Sequence, residues 1–376
     1  MADLYAVVER HRKARGMSLR ALARAVHHDP SYVSRALRGL KPLGPALARD
    51  IDNALGARGE VIAAAQRPAP ALPEVPVAPE LRDYFCQQLA GHYAADRFLG
   101  PGRLIGMATA QYGLLCEIAG TASGALRGEL WATAAGYAAL LGWLHQDAGD
   151  LAESARWHDV MIERAHRSRD PQLVGFALYC KAMLHTDMAD GPGVLDLTAA
   201  GLSGRRLIPK VRALLLQQAA HGQALAALPG AGAGCDRLLG DAAGLTGQVS
   251  DDYPWGACTA PHWIGTQQAT VWTRLGRYRE AVALWGQVIP ALPASSRRDI
   301  GVYRARHARA LAGLGEPAEA VAVALGAVPA AVQSGSARMR AELRELRRGM
   351  EPWRGGQAWR DLEEALRSLP RAGRRS

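Results

Sequence analysis

The sequence predicts an all-α chain in two parts, a small N-terminal helical domain and a long array of about five helix pairs. Three observations predict it. Apolar residues recur at three- and four-residue steps, as at Tyr137, Leu140, Leu141 and Leu144 or at Leu151, Ala155, His158 and Ile162, and strand-like alternation is nowhere sustained. Glycine-centred breaks fall near Gly149, Gly191, Gly232, Gly276 and Gly315, roughly 40 residues apart, the period of stacked helix pairs. Prolines at 68, 70, 73, 76 and 79 interrupt the chain between the two parts and predict an extended spacer over 67–80.

In the N-terminal part, Leu4, Val7, Val8 and His11 form one face of a first helix that Gly16 ends. Ser18 caps a second helix with an inner face of Leu19, Leu22, Ala23 and Val26. A third helix opens with Asp29 as its cap and Pro30 at its first position, where the missing N–H costs nothing, and runs to Arg38 before Gly39. Val33, Ala36 and Leu37 face inward, which leaves Ser31, Tyr32, Ser34, Arg35 and Arg38 outward. A fourth helix, carrying Leu47, Ile51, Ala54 and Leu55, closes the core. A short helix with small polar, aromatic and arginine side chains suits the major groove, where Arg35 offers a fork to guanine and Ser31 a hydroxyl.

The segment SLRALARAVHHDPSYVSRALRG resembles the helix-turn-helix of the xenobiotic-response-element, or Cro/repressor-type, regulators in Ser18, Leu22-Ala23, Val26, Val33 and Gly39. The resemblance covers about the first 65 residues. It implies that residues 30–38 are the recognition helix and that its first residues and Arg35 meet bases. The family often carries glutamine after the serine that opens the second helix, in contact with phosphate. Here that position is Leu19, and Arg20 beside it is expected to take over. The expected DNA-binding set is Arg20, Pro30, Ser31, Tyr32, Ser34, Arg35, Arg38 and Lys41.

Beyond the spacer, residues 275–293 resemble the second half of a tetratricopeptide repeat, with Gly276 at the turn and Tyr278, Ala281, Trp285 and Pro293 at the repeat's spacing. Leu141-Gly142, Gly149, Asp150, Leu151 and Glu153 give a second copy; Gly315, Glu319, Ala320 and Ala324 give a weaker third, with Pro317 in place of an aromatic. The fold expected is therefore a helix-turn-helix domain (1–66), a linker (67–80), a TPR-like α-solenoid (81–370) and a basic tail (371–376). The repeat family binds peptides or partner proteins in its concave groove. Transferring its groove positions gives an effector set of Trp143, Gln146, Trp263, Thr266, Thr270, Thr273, Arg274 and Arg309, suited to the backbone and terminal carboxylate of a peptide.

Charge separates the two parts. Residues 1–67 balance at +6 and 338–376 at +5, whereas 68–337 balance at −1, so the positive field is confined to the ends of the chain. No C-x-x-C pair, metal-binding cluster, P-loop or nucleophile elbow can be written, which gives no support to an enzyme, a metal or a cofactor. Asp251-Asp252 stands without partner carboxylates. Cysteines that are widely spaced and odd in number, with no signal-like start, predict reduced thiols and a cytoplasmic location. The longest charge-free stretch, 213–235, is too polar to span a bilayer. The expected protein is a dimeric, DNA-binding transcriptional regulator that senses an effector, a short peptide ahead of a small metabolite or a partner protein. The alternative is a non-enzymatic scaffold that binds a partner protein through its repeats.

Overall fold

The computed structural model describes residues 4–37, 43–66, 78–204, 207–249, 253–256, 262–294 and 296–369, in which every regular element is a helix. The chain forms two compact units that divide between Pro76 and Val77. Gly39, linker residues 67–77, Asp251, Asp252, Cys258 and the tail 371–376 lie outside the described residues.

The first unit contains α1 (Leu4–Ala14), α2 (Leu19–Ala25), α3 (Pro30–Leu37), α4 (Pro45–Leu55) and α5 (Glu60–Gln66). Its core is the predicted one, with Val8, Leu22, Ala23, Val33, Ile51 and Leu55 almost fully buried. The fifth helix was not expected. The buried carboxylate of Asp52 makes it, accepting the N–H of Gly59 at 2.8 Å and of Val61 at 2.9 Å. Two backbone donors at the start of α5, which have no partner within the helix, are thereby satisfied, and Val61 is added to the core.

The second unit opens with α6 (Pro79–Leu99) and α7 (Pro101–Thr121). The expectation that prolines keep helix out to residue 80 fails at Pro79, which occupies the first turn of α6, where the absent N–H has no intrahelical partner to lose. Five helix pairs follow: α8 (Gly124–Ala148) with α9 (Leu151–Ser168), α10 (Pro171–Asp187) with α11 (Gly191–Leu202), α12 (Pro209–Ala226) with α13 (Ala231–Thr246), α14 (Trp263–Arg274) with α15 (Tyr278–Val288), and α16 (Arg297–Leu314) with α17 (Pro317–Leu325). The chain ends in α18 (Val328–Ser334), α19 (Ala337–Gly349), a 3₁₀ turn (Glu351–Trp353) and α20 (Gln357–Arg367).

Three of the predicted breaks are turns within a pair. Gly149, Gly276 and Gly315 adopt φ of 85°, 74° and 94°, a region that glycine enters without a Cβ penalty. The other two are corrected. Gly191 begins α11, and a Cβ there would meet the backbone N of Ala226 at 2.5 Å, so it serves a close helix crossing. Gly232 lies inside α13, and the turn before it is made by Ala227 and Gly230. The inner stripe of α9 is also rotated from the predicted one: Ser154, His158, Met161 and Ala165 are its buried residues. Ser154 can be buried because its hydroxyl donates to Gly142 O at 2.8 Å.

The repeat signature at 275–293 is realised. Ala281 and Trp285 are fully buried, and Tyr278 packs where a Cβ on Gly313 would stand. The first helices of successive pairs pack on one another, α8 on α10 and so on to α16, forming an inner row. Residues 317–334, with mean hydropathy 1.2, are the one stretch among the described residues apolar and long enough to suggest a membrane span. They are two helices, α17 and α18, each far shorter than the ~20 residues a bilayer needs.

Candidate nucleic-acid interface and inner face of the array

The start of α3 is built as the sequence requires. Asp29 Oδ1 accepts the N–H of Ser31 at 2.8 Å and of Tyr32 at 3.1 Å, and Ser18 caps α2 by accepting from Ala21 N at 3.1 Å. Asp29 is thus committed to the helix cap. His27, with φ of 54°, makes the sharp turn between α2 and α3, and His28 stacks on Tyr32 with ring centroids 5.5 Å apart.

Arg20 and Ser31 are exposed and Pro30 is half-buried. Tyr32 and Ser34 were expected on the outer face, but both are half-buried, Tyr32 because it leans on the core beneath α3. The side chain of Arg35, together with Arg38 and Lys41, lies outside the described residues.

On the inner row, polar side chains are bonded mostly to the protein itself. Trp143 donates to Asp96 Oδ2 at 3.1 Å, with the guanidinium of Arg338 4.6 Å from its ring centroid. Gln146 Nε2 donates to Asp187 Oδ2 at 2.6 Å, while its Oε1 is buried without a partner. Trp263, Thr266, Thr270 and Thr273 are buried. The three threonine hydroxyls donate to carbonyls of their own helix, at 2.8 Å to Trp263 O, 2.7 Å to Thr266 O and 2.7 Å to Ala269 O. The expectation that this Trp–Thr row faces a ligand therefore does not fit the structure: the polar atoms point back into α14.

The two ends of the array are brought together by residues that were not singled out. Arg298, at the start of α16, pairs with Asp96 of α6 and, at 3.1 Å, with Asp147 of α8. Ser336 donates to Asp147 Oδ1 at 2.6 Å, and Arg338 approaches Asp187 at 3.6 Å. Thus α19 crosses the inner face of α8 and α10. A second internal segment, Tyr253 to Gly256, also lies on that face. A Cβ on Gly136 would meet the Trp255 ring at 2.2 Å, Gly256 packs on Leu214 and Phe176, and Lys210 Nζ donates to Tyr253 O at 2.7 Å. The predicted open groove is in large part filled by the chain itself. A readable signal was present. Leu144-His145-Gln146-Asp147 with Asp150 recurs as Leu184-His185-Thr186-Asp187 with Asp190, and both copies put an aspartate on the inner face and a second aspartate at the next helix start.

A cationic cluster occupies the opposite part of the inner face. Arg306 and Arg309 of α16 bind the two oxygens of Glu342 of α19, at 2.7 Å and 2.5 Å. Burial opposes the ionised form of Glu342, but Arg306, Arg309 and Arg274 outweigh it and hold its carboxyl at about 2. Arg306 Nη1 also donates to Thr270 Oγ1 at 3.2 Å, one turn from Arg274 on α14. Arg274 has one hydrogen bond among the described residues, to Nδ1 of His221. His221 Nε2 faces Gln267 Oε1 at 2.9 Å, so the imidazole is neutral, with its proton on Nε2 and its acceptor toward the guanidinium. Burial and then Arg274 push His221 well below the usual histidine range, and burial and then Arg306 lower Arg274 to about 10.

Among the described residues no group of histidine, cysteine and acidic side chains is arranged to hold a metal ion. Residues 4–65 match the family described as "Helix-turn-helix domain", and the first unit is a domain of that kind. No curated protein matches the chain. Among solved structures, the crystal structure of Bacillus thuringiensis PlcR in complex with the peptide PapR7 and DNA aligns with 97% of this chain and 92% of that chain, at 12% identity and a TM-score of 0.36. A likeness of that size transfers no residue.

Proposed function

We propose that this chain is a sequence-specific DNA-binding transcriptional regulator whose helical array dimerises and senses a short peptide on its inner face. The observation that carries the first half is the Asp29-capped start of α3 with Ser31 exposed, inside a domain of the helix-turn-helix family that balances at +6. A capped helix start offers backbone donors and small polar groups to a duplex, and surrounding arginines supply the salt-dependent affinity. The four-part division into reader, linker, array and basic tail belongs to this reading. So does the dimer, because one reader of this size covers too few base pairs for regulatory specificity.

For the second half, the polar residues that remain candidates are Trp143, Gln146, Arg274 and Arg309. The test is selection of the full chain on random duplex DNA, followed by footprinting of the winner at several salt concentrations. Enrichment of a paired half-site, with an Arg20→Ala variant weaker on all duplexes and its salt slope reduced by about one, is the expected result. Recovery of no sequence preference would replace this reading with the scaffold alternative.

A further inference from the structure

Within the inner face, the cationic cluster is out of balance. Arg274, Arg306 and Arg309 converge on α14 and α16, and Glu342 is the one carboxylate that answers them. Glu342 is shared between Arg306 and Arg309, and Arg274 is left with an imidazole nitrogen. A partly buried guanidinium bonded to a neutral ring keeps most of its donors and all of its charge uncompensated. Beside it, the network runs from His221 through Gln267 to Gln217, whose Nε2 donates to Gln267 Oε1 at 3.1 Å. Gln217 is 3% exposed, and its own Oε1 receives no hydrogen bond among the described residues. An uncompensated cation therefore stands close to a buried acceptor that lacks a donor.

From this juxtaposition we infer that Arg274 and Gln217 form a subsite for a ligand carboxylate with an amide N–H next to it, the carboxylate on Arg274 and the N–H on Gln217 Oε1. That chemistry belongs to the C-terminal residue of a peptide and equally to an N-acyl amino acid. The inference rests on the peptide-sensing reading and narrows it, since it states which end of the ligand is recognised and by which charge. Glu342 shows the same chemistry made internally, one carboxylate between two guanidinium groups.

The experiment titrates the full chain with a mixture of pentapeptides bearing free C-terminal carboxylates, with the same mixture amidated, and with a series of N-acetyl amino acids. Apparent Kd is read by calorimetry and the shift in Tm by thermal unfolding. The free-acid mixture is expected to bind at least tenfold more tightly than the amidated one, and Arg274→Gln to abolish that ratio while Arg274→Lys retains part of it. Circular dichroism of each variant without ligand controls for folding, and the wild-type ratio decides even if both variants fail to fold. N-acetyl amino acids that match the peptides assign the site to a small acid; a preference for peptides assigns it to a chain terminus. Equal binding of the two mixtures overturns the carboxylate subsite and leaves the peptide-sensing reading standing. Absence of binding by every probe at millimolar concentration overturns both.

Discussion

The ring of Trp285 stacks on that of Tyr303 with centroids 5.5 Å apart and planes 28° from parallel, and the two residues belong to successive helix pairs. Trp285 is fully buried, and its indole N–H donates to Thr273 Oγ1 at 3.2 Å. One side chain thus joins α14, α15 and α16. Replacement Trp285→Ala removes that filling and leaves a cavity, at an expected cost of about 3–5 kcal/mol. Chemical denaturation of the full chain checks it; a cost below about 1 kcal/mol would mean that the layer closes without the indole.

Asp147 is expected to matter less than its burial suggests. Loss of its carboxylate in Asp147→Ala leaves the Ser336 hydroxyl without an acceptor, but Arg298 keeps its pairing with Asp96. The expected destabilisation is about 1–3 kcal/mol, the cost of one buried orphan rather than of a broken ion pair. Asp96→Ala combined with Asp147→Ala should exceed the sum of the two single changes, because only the double variant strands the guanidinium. Additive values in denaturation would show that Arg298 finds another partner.

At the reader, Asp29→Ala deletes the acceptor for two N–H groups at the start of α3. A cost of about 1 kcal/mol in stability of the first unit is expected. DNA affinity should fall with it for specific and nonspecific duplexes in different proportion, since α3 is the element that meets bases. Hydrogen exchange of the α3 amides measures the first effect and a binding titration the second.

His158 sets an acid limit. Its ring is 1% exposed, neither nitrogen has a hydrogen bond among the described residues, and burial followed by the charge of Lys181 lowers it to about 4. Between about pH 6.5 and 4 the unfolded chain takes up a proton that the folded one refuses, so stability falls as pH falls, by about 3 kcal/mol across the window. Glu342 acts lower: its contribution is complete above its usual carboxylate range and is lost as pH falls toward about 2. In His158→Gln the slope between pH 6.5 and 4 should flatten while that below 4.5 persists. An unchanged upper slope would assign it to another group, with His221 the first to test.

Much of this architecture was readable where one residue's local geometry decides it. Gly149, Gly276 and Gly315 mark turns because each takes a left-handed φ, and Asp29 marks a helix start because its carboxylate reaches two N–H groups. Gly191 misled because a glycine can serve a close crossing as well as a turn. Thr270 and Thr273 misled because threonine in a helix has a carbonyl one turn back within reach, and takes it in preference to facing a groove. The return of α19 and of residues 253–256 onto the inner face has no local signature. It depends on pairings such as Arg298 with Asp147, residues 151 positions apart, which neither periodicity nor capping encodes.

An open stack of helix pairs has two free ends, and its stability is a chain of nearest-neighbour terms, so terminal repeats fray first and unfolding proceeds inward. Here the first pair is tied to α16 and α19 through Asp147, and neither α8 nor α16 is a terminus in the energetic sense. Opening any one inter-pair layer strains the tie, and opening the tie releases both ends at once. Amide protection along the array should accordingly be level from α8 to α16 rather than peaked at the centre, and the pairs should be lost in one cooperative step.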